Sequence, residues 1–134
     1  MNQGIEKYMA ANPLCFGPED DIVSAMRVLL DKHYSGAPVV DGDGRLVGVL
    51  SKKDCMKIVY NTAYHQDWGG QVREYMSHEV KHLDADCTLL EAAEAFLESS
   101  YRRFPVMREG RLVGQISRCD ILRAIDEIYL REGS

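Results

Sequence analysis

No stretch of this 134-residue chain stays apolar for the roughly 18 to 20 residues that a membrane-spanning helix needs, so no span is expected. The opening MNQGIEKYMAANP has neither the basic start nor the apolar centre of a secretory leader, and the cytoplasm is the default location. Basic residues are outnumbered by acidic ones, 16 against 21, for a net charge of −5. A general nucleic-acid binder needs a basic face to neutralise phosphates, so nucleic acid is not expected as a partner, whereas a small anion held by a few local cations is compatible. The four cysteines, Cys15, Cys55, Cys87 and Cys119, stand far apart, with no Cys-x-x-Cys and no Cys/His pair at zinc spacing. They read as reduced core or near-surface residues. His33, His65, His78 and His82 form no i,i+4 pair on a helix, so no metal site is expected. No nucleophile, general base or metal stands out either, so no catalytic residue is assigned and the chain does not read as an enzyme.

What is present is a repeat. GRLVG occurs at Gly44–Gly48 and again at Gly110–Gly114, followed by GVLSKKD and GQISRCD, with Ser and Asp at the same spacing. The match extends upstream at an offset of 67, which aligns Tyr8-Met9 with Tyr75-Met76, Ala25 with Ala92, Leu30 with Leu97, Tyr34 with Tyr101 and Pro38-Val39 with Pro105-Val106. One residue is then lost and the offset becomes 66, aligning GRLVG, Ser51 with Ser117, and Asp54 with Asp120. The gap falls in a turn, where hairpin length varies easily.

Each copy predicts the same elements. A lead-in (GIEKYM, VREYM) precedes a short apolar strand (PLCFG, VKHL). A helix follows, with apolar positions Ile22, Met26, Leu29, Leu30 and His33 in the first copy and Leu89, Leu90, Ala93, Phe96 and Leu97 in the second. Thr88 and Glu91 have capping-box spacing. A hairpin comes next (APVV through DGDG into RLVGVLS, FPVM through REG into RLVGQIS), and then a helix over Lys52 to about Ala63 or Arg118 to about Arg131. The last of these takes Ile121, Leu122, Ile125, Ile128 and Tyr129 as its apolar face. A three-stranded half-unit exposes too much edge and face to stand alone. Two α+β repeats of β-α-β-β-α order, over 1–66 and 67–134, are therefore expected to join sheet to sheet about a pseudo-two-fold, with a shared core. NTAYHQDWGGQ is the linker, and its Trp68 is a candidate anchor.

Two readings attach to Ser51-Lys-Lys-Asp54 and Ser117-Arg-Cys-Asp120. As capping boxes, the Ser accepts a backbone N–H while the Asp reaches back to the N-cap amide. As binding elements, the same helix starts favour an anion, and an Asp one turn in can accept two hydrogen bonds from a ribose diol. Gly48 and Gly114 lack a side chain where a ligand or a second strand comes close. Gly42-x-Gly44 belongs to turn chemistry, because no helix follows it, and Asp41-x-Asp43-Gly44 lacks the length and the Glu of a calcium loop.

The paired Pro-Val, the Gly that closes RLVG and the doubled Gly-x-x-Ser-x-x-Asp together resemble a tandem CBS-domain pair, or Bateman module, from about Ile5 to about Ile125. With no other domain evident, the chain resembles the stand-alone type. The resemblance implies a non-catalytic regulatory module that binds an adenosine-containing ligand, of the AMP, ADP, ATP or S-adenosylmethionine class, in clefts between the repeats. It also implies a homodimer and a regulated protein partner whose identity is unknown. No cofactor is required. It puts Asp54 and Asp120 on ribose, Ser51 and Ser117 near ribose or phosphate, and the segment before each Pro against adenine and part of the phosphate chain. It also lines the base with backbone amides of Leu14-Cys15-Phe16 and Lys81-His82-Leu83.

The copies differ around this pattern. Small Ser35, Gly36 and Ala37 follow Tyr34 and leave room for a base, with Lys52 and Lys53 nearby. Tyr101, Arg102, Arg103 and Phe104 occupy the matching segment of the second copy, with Arg118 nearby, and supply guanidinium forks that suit phosphate yet take up space. One better site and one weaker or empty site are expected. The alternative is a ligand-free dimerisation or interaction module that uses helical faces at Ile58, Val59, Ile121, Leu122, Ile125 and Ile128.

Overall fold

The structure is a computed structural model and describes residues 4–66 and 69–130; Trp68 and Arg131 lie outside them. The elements, in chain order, are β1 (Ala10–Ala11), α1 (Ile22–Asp31), β2 (Gly36–Val40), β3 (Leu46–Ser51), α2 (Lys52–His65), β4 (Leu83–Asp84), α3 (Leu89–Leu97), β5 (Arg103–Arg108), β6 (Arg111–Ser117) and α4 (Arg118–Ile125). Short 3-10 turns at Ile5–Lys7 and Val72–Glu74 form the two lead-ins, and a π-helical turn, Asp126–Leu130, takes over from α4. The chain is mixed α+β. The second repeat follows the expected order of strand, helix, strand, strand, helix, whereas in the first the expected strand PLCFG is reduced to a single bridge at Phe16 and β1 lies earlier, in the lead-in.

Two compact units result, Leu14–Val80 and Met1–Pro13 with Lys81–Ser134. Each repeat's lead-in is thus taken up by the other repeat's unit. In the second unit the sheet order is β1-β6-β5-β4, with β4 parallel to β5 and the remaining pairs antiparallel. In the Leu14–Val80 unit the β2–β3 hairpin is extended by single bridges on both sides, parallel at Phe16 to Val39 and antiparallel at Ser77 to Val49. The four segments therefore match one for one, with Ser77 standing where Ala10 stands.

Buried side chains form one cluster per unit. Ile22, Ala25 and Leu29 of α1 meet Val39, Leu50 and Ile58 in one, and the lead-in adds Val72 and Tyr75. Leu89, Ala92 and Phe96 of α3 meet Phe104, Val106 and Ile116 in the other, and the lead-in adds Ile5. The expected apolar faces shift by a residue. Leu30, Leu90 and Leu122 are exposed, as is Leu97 at 85%, while small Ala25, Ala92 and Ala124 face inward. Large residues flanking a narrow buried stripe satisfy a helical period as well as those on it. Ile58 and Ile121 likewise belong to the core, whereas Val59 stands out to solvent.

His33 is not on the face of α1. Its φ is 58°, and it stops the helix: its N–H donates to the Leu30 carbonyl (3.2 Å) and that of Tyr34 to the Leu29 carbonyl (3.0 Å), the bond pair of a Schellman motif. At the other end, Asp21 accepts from the Ser24 backbone N–H (2.9 Å) and hydroxyl (3.0 Å). Those bonds, the backbone one first, hold its carboxyl below the ordinary range. The stability they give is present above the unfolded carboxyl's pKa and is lost as pH falls.

The one-residue gap between the repeats sits in the hairpins. Val40 pairs with Leu46 in one, Met107 with Leu112 in the other. The longer turn is held by Asp41, whose Oδ1 accepts from the N–H groups of Asp43 (2.9 Å) and Arg45 (3.0 Å). In the shorter one Glu109 and Gly110 both take positive φ, 53° and 80°, the type I′ pattern that matches strand twist.

All four cysteines are free. Burial, helped by Glu91 and Asp84, pushes the Cys87 thiol up to about 11. Burial also raises Cys15 and Cys55. His33→Gly is expected to stabilise the chain by about 1 kcal/mol, because glycine takes the left-handed helix stop without a Cβ clash. Urea unfolding with an unchanged m-value checks it.

Candidate functional site

Strand β3 delivers the chain into α2 through Ser51, whose backbone is extended (φ −110°, ψ 163°). The Asp54 N–H donates to Ser51 Oγ (3.0 Å) and the Ser51 N–H donates to Asp54 Oδ2 (3.0 Å), a complete capping box. The next helical N–H, of Lys52, donates to the Ser35 carbonyl (2.8 Å). Much of the donor capacity of this helix start is therefore used by the fold, and the anion site expected there shrinks to what the cap leaves over.

What the cap leaves is the other carboxylate oxygen. The Ser77 hydroxyl donates to Asp54 Oδ1 at 3.2 Å and lies 3.4 Å from Oδ2. Lys57, one turn on, lies 3.9 Å from Oδ1 and donates instead to the Tyr75 carbonyl (3.1 Å). The Asp54 side chain keeps 12% of its surface exposed, so an edge of the carboxylate faces solvent.

The second copy repeats the cap and changes the rest. The Asp120 N–H donates to Ser117 Oγ (3.2 Å) and the Ser117 N–H donates to Asp120 Oδ2 (2.9 Å). Arg123, the counterpart of Lys57, turns onto the carboxylate and donates from Nη1 to Asp120 Oδ1 (3.2 Å). Arg118 is also engaged: its backbone N–H donates to the Arg102 carbonyl (3.3 Å) and its Nε to the Tyr101 carbonyl (3.1 Å). Arg102 and Arg103 are exposed, and Tyr101 stands edge-on to Phe104 at 5.3 Å.

The residues expected before the first Pro divide. Ser35 is exposed, Gly36 is half-buried and opposite Ser51 in the hairpin, and Ala37 is taken up by the core at 3% exposure. A Cβ on Gly36 would lie 2.8 Å from the Leu50 carbonyl oxygen, so the glycine lets the two strands close. Lys52 and Lys53 both stand in solvent. Among the described residues no three His, Cys, Asp or Glu form a metal-binding group.

Gly48 and Gly114 are buried under a strand, not open to a ligand. A Cβ on Gly48 would lie 2.8 Å from both Met76 Sδ and the Ser77 carbonyl oxygen. One on Gly114 would lie 2.5 Å from Met9 Sδ and 2.9 Å from the Ala10 carbonyl oxygen. Ser77, Lys57 and Arg123 are the site residues that motif spacing did not pick out. The alignment sets Ser77 against Ala10 and Lys57 against Arg123, but it places none of them beside an Asp carboxylate. Gly48→Ala is expected to destabilise the chain by about 1 to 3 kcal/mol in urea unfolding, because backbone, not only the methionine, must give way.

Comparison with known proteins places the fold. The CBS domain model matches residues 5–61 and again 72–127. An uncharacterised protein of Methanocaldococcus jannaschii, MJ1225, is 25% identical over 93% of this chain, which spans 44% of that protein's length. The A-adding tRNA nucleotidyltransferase of Aquifex aeolicus is 27% identical over 92% of this chain, which spans only 14% of it. Among solved structures, CBSX2, a CBS-pair protein from Arabidopsis thaliana, in complex with AMP superposes with a TM-score of 0.79 at 25% identity, covering 93% of this chain and 97% of that one. The chain belongs to the CBS-domain family, with two copies of the domain.

Proposed function

We propose that the chain is a regulatory, non-catalytic module that binds an adenosine-containing ligand and biases a partner between two states. The observation that carries this is the doubled Ser–Asp cap, in which the N-cap N–H fixes one carboxylate oxygen and the other meets only a side-chain donor, Ser77 in one copy and Arg123 in the other. A carboxylate so held is pre-oriented for the two hydroxyls of a ribose. Ser51, Ser35 and Gly36 flank Asp54, and Ser117 and Arg103 flank Asp120, within reach of the rest of a nucleotide. Exposed Lys52 and Lys53 suit its phosphate, with Arg118 as the counterpart in the second copy. That CBSX2 was crystallised with AMP supports the choice of ligand class.

A second reading, a dimerisation surface, is favoured by the outer face of α2, where Met56, Val59, Tyr60 and Tyr64 are all exposed and the two tyrosine rings lie 4.8 Å apart. A second copy of the chain would cover such a face. On that reading Val59→Glu with Tyr64→Glu shifts the sedimenting species from dimer to monomer.

The ligand reading is tested by melting the protein with AMP, ADP, ATP, NAD and S-adenosylmethionine. A ligand at a hundred times its Kd stabilises by about 2.7 kcal/mol, several degrees in Tm. The double variant Asp54→Ala, Asp120→Ala is expected to lose that shift while remaining folded. A flat response to the whole panel at millimolar concentration overturns the reading.

A further inference from the structure

The two copies of the cap are alike at one carboxylate oxygen and unlike at the other. Oδ2 of each Asp takes the N-cap N–H. At Oδ1, Asp54 meets a neutral hydroxyl, whereas Asp120 meets a guanidinium. An ionised carboxylate has about four lone-pair positions. In each copy two are taken, by Ser51 N–H and the Ser77 hydroxyl at Asp54 and by Ser117 N–H and Arg123 Nη1 at Asp120, so the copies differ in the charge of the second donor and not in the number of positions left for a diol. Ser77 also keeps its own oxygen as an acceptor beside them. The cation that could compete, Lys57, is drawn off to the Tyr75 carbonyl and sits beyond hydrogen-bond distance from Asp54.

In the Asp120 copy the cation bonds the carboxylate directly, at 3.2 Å from an Arg123 side chain that is 75% exposed, whereas the ammonium of Lys57 stands 3.9 Å from Asp54. Charge-assisted hydrogen bonds are about twice as strong as neutral ones, so a sugar hydroxyl would have to displace a stronger donor. No hydroxyl replaces it, because Ala10 holds the place that Ser77 holds: Ala10 pairs with Gln115 as Ser77 bridges to Val49. Each arrangement lies within one compact unit.

We propose that only the Asp54 copy takes a ribose diol, that Ser77 is its positioning residue, and that Arg123 shuts the Asp120 copy. The proposal rests on the nucleoside reading above and adds which copy is used and what sets it. Ser77 reaches the carboxylate from a separate segment, so it orients Oδ1 independently of the helix cap, which orients Oδ2.

Calorimetric titration with AMP and with 2′-deoxyAMP tests this. The wild type is expected to take one equivalent of AMP per chain and to bind the deoxy form more weakly. Ser77→Ala is expected to weaken AMP about 5- to 10-fold and to narrow the gap between the two ligands, which a purely structural role would not do. Ser77→Thr keeps the hydroxyl and is expected to restore both, and circular dichroism confirms that each variant is folded. Two equivalents per wild-type chain, or a folded Ser77→Ala with unchanged affinity and an unchanged gap, overturn this proposal and leave the nucleoside reading standing. A wild type that takes up neither AMP nor any other member of the panel overturns both.

Discussion

The lead-in Met76-Ser77 runs so close to β3 that position 48 has no room for a side chain, and Gly48 meets that requirement. The backbone of Ser77 exchanges both of its hydrogen bonds with Val49, at 2.9 Å each, directly beside the glycine. Met76 closes over the glycine, with its Sδ 2.8 Å from where a Cβ would stand. Three consequences follow from this one approach. The outer edge of β3 is paired instead of open to other chains. The lead-in is held so that Val72 and Tyr75 fill the core of the unit. The Ser77 hydroxyl is brought onto Asp54. The same approach recurs at Gly114 under Met9 and Ala10, which explains why the final glycine of GRLVG is written twice: it serves the strand above it.

The capping boxes show how one residue can serve fold and site together. An N-cap hydrogen bond contributes about 1 kcal/mol, a modest term for stability. Its geometric effect is larger. With Oδ2 fixed by the N-cap N–H, the carboxylate plane is set, and whatever meets Oδ1 does so against a rigid group. A flexible aspartate at the same place would lose conformational freedom when a ligand bound, and the cap has already removed that freedom during folding.

The order of helices and hairpins, the hairpin gap, all three Ser/Thr capping boxes and the twofold repetition were legible in the sequence, because each depends on neighbours within a few residues. The apolar helical stripes were only half legible. Leu30 and Leu97 keep helical spacing with buried neighbours, yet the alanines five residues earlier, about 140° round the helix, take the inward position, since periodicity locates a face only to within about one residue. His33 fitted the same period and proved to be the helix stop, a role that depends on backbone angle and not on side-chain polarity. The least legible feature was the exchange of lead-ins. An offset of 67 establishes that Tyr8-Met9 and Tyr75-Met76 are equivalent, but equivalence does not say which β3-like strand each one joins. That information resides in long-range pairing, and Ser77 was invisible as a site residue for the same reason.

Two copies of one unit within one chain separate what the fold requires from what it leaves open. Where the fold imposes a constraint, the copies agree: glycine under the lead-in, Ser at the N-cap, Asp at the third helical position, alanine on the inner helix face. Where it imposes none, they diverge: Ser77 against Ala10, Lys57 against Arg123, and exposed Ser35 against exposed Arg102. Every one of these differences lies on or near the Asp carboxylate or the loop that precedes the hairpin. Random drift would spread differences over all exposed positions equally, and many do lie elsewhere on the surface. Those beside the carboxylate are set apart by chemistry, because they trade a neutral donor for a charged one and a small side chain for a guanidinium group. The helix cap thus carries the common architecture, and the partner of the second carboxylate oxygen carries the distinction between the two copies.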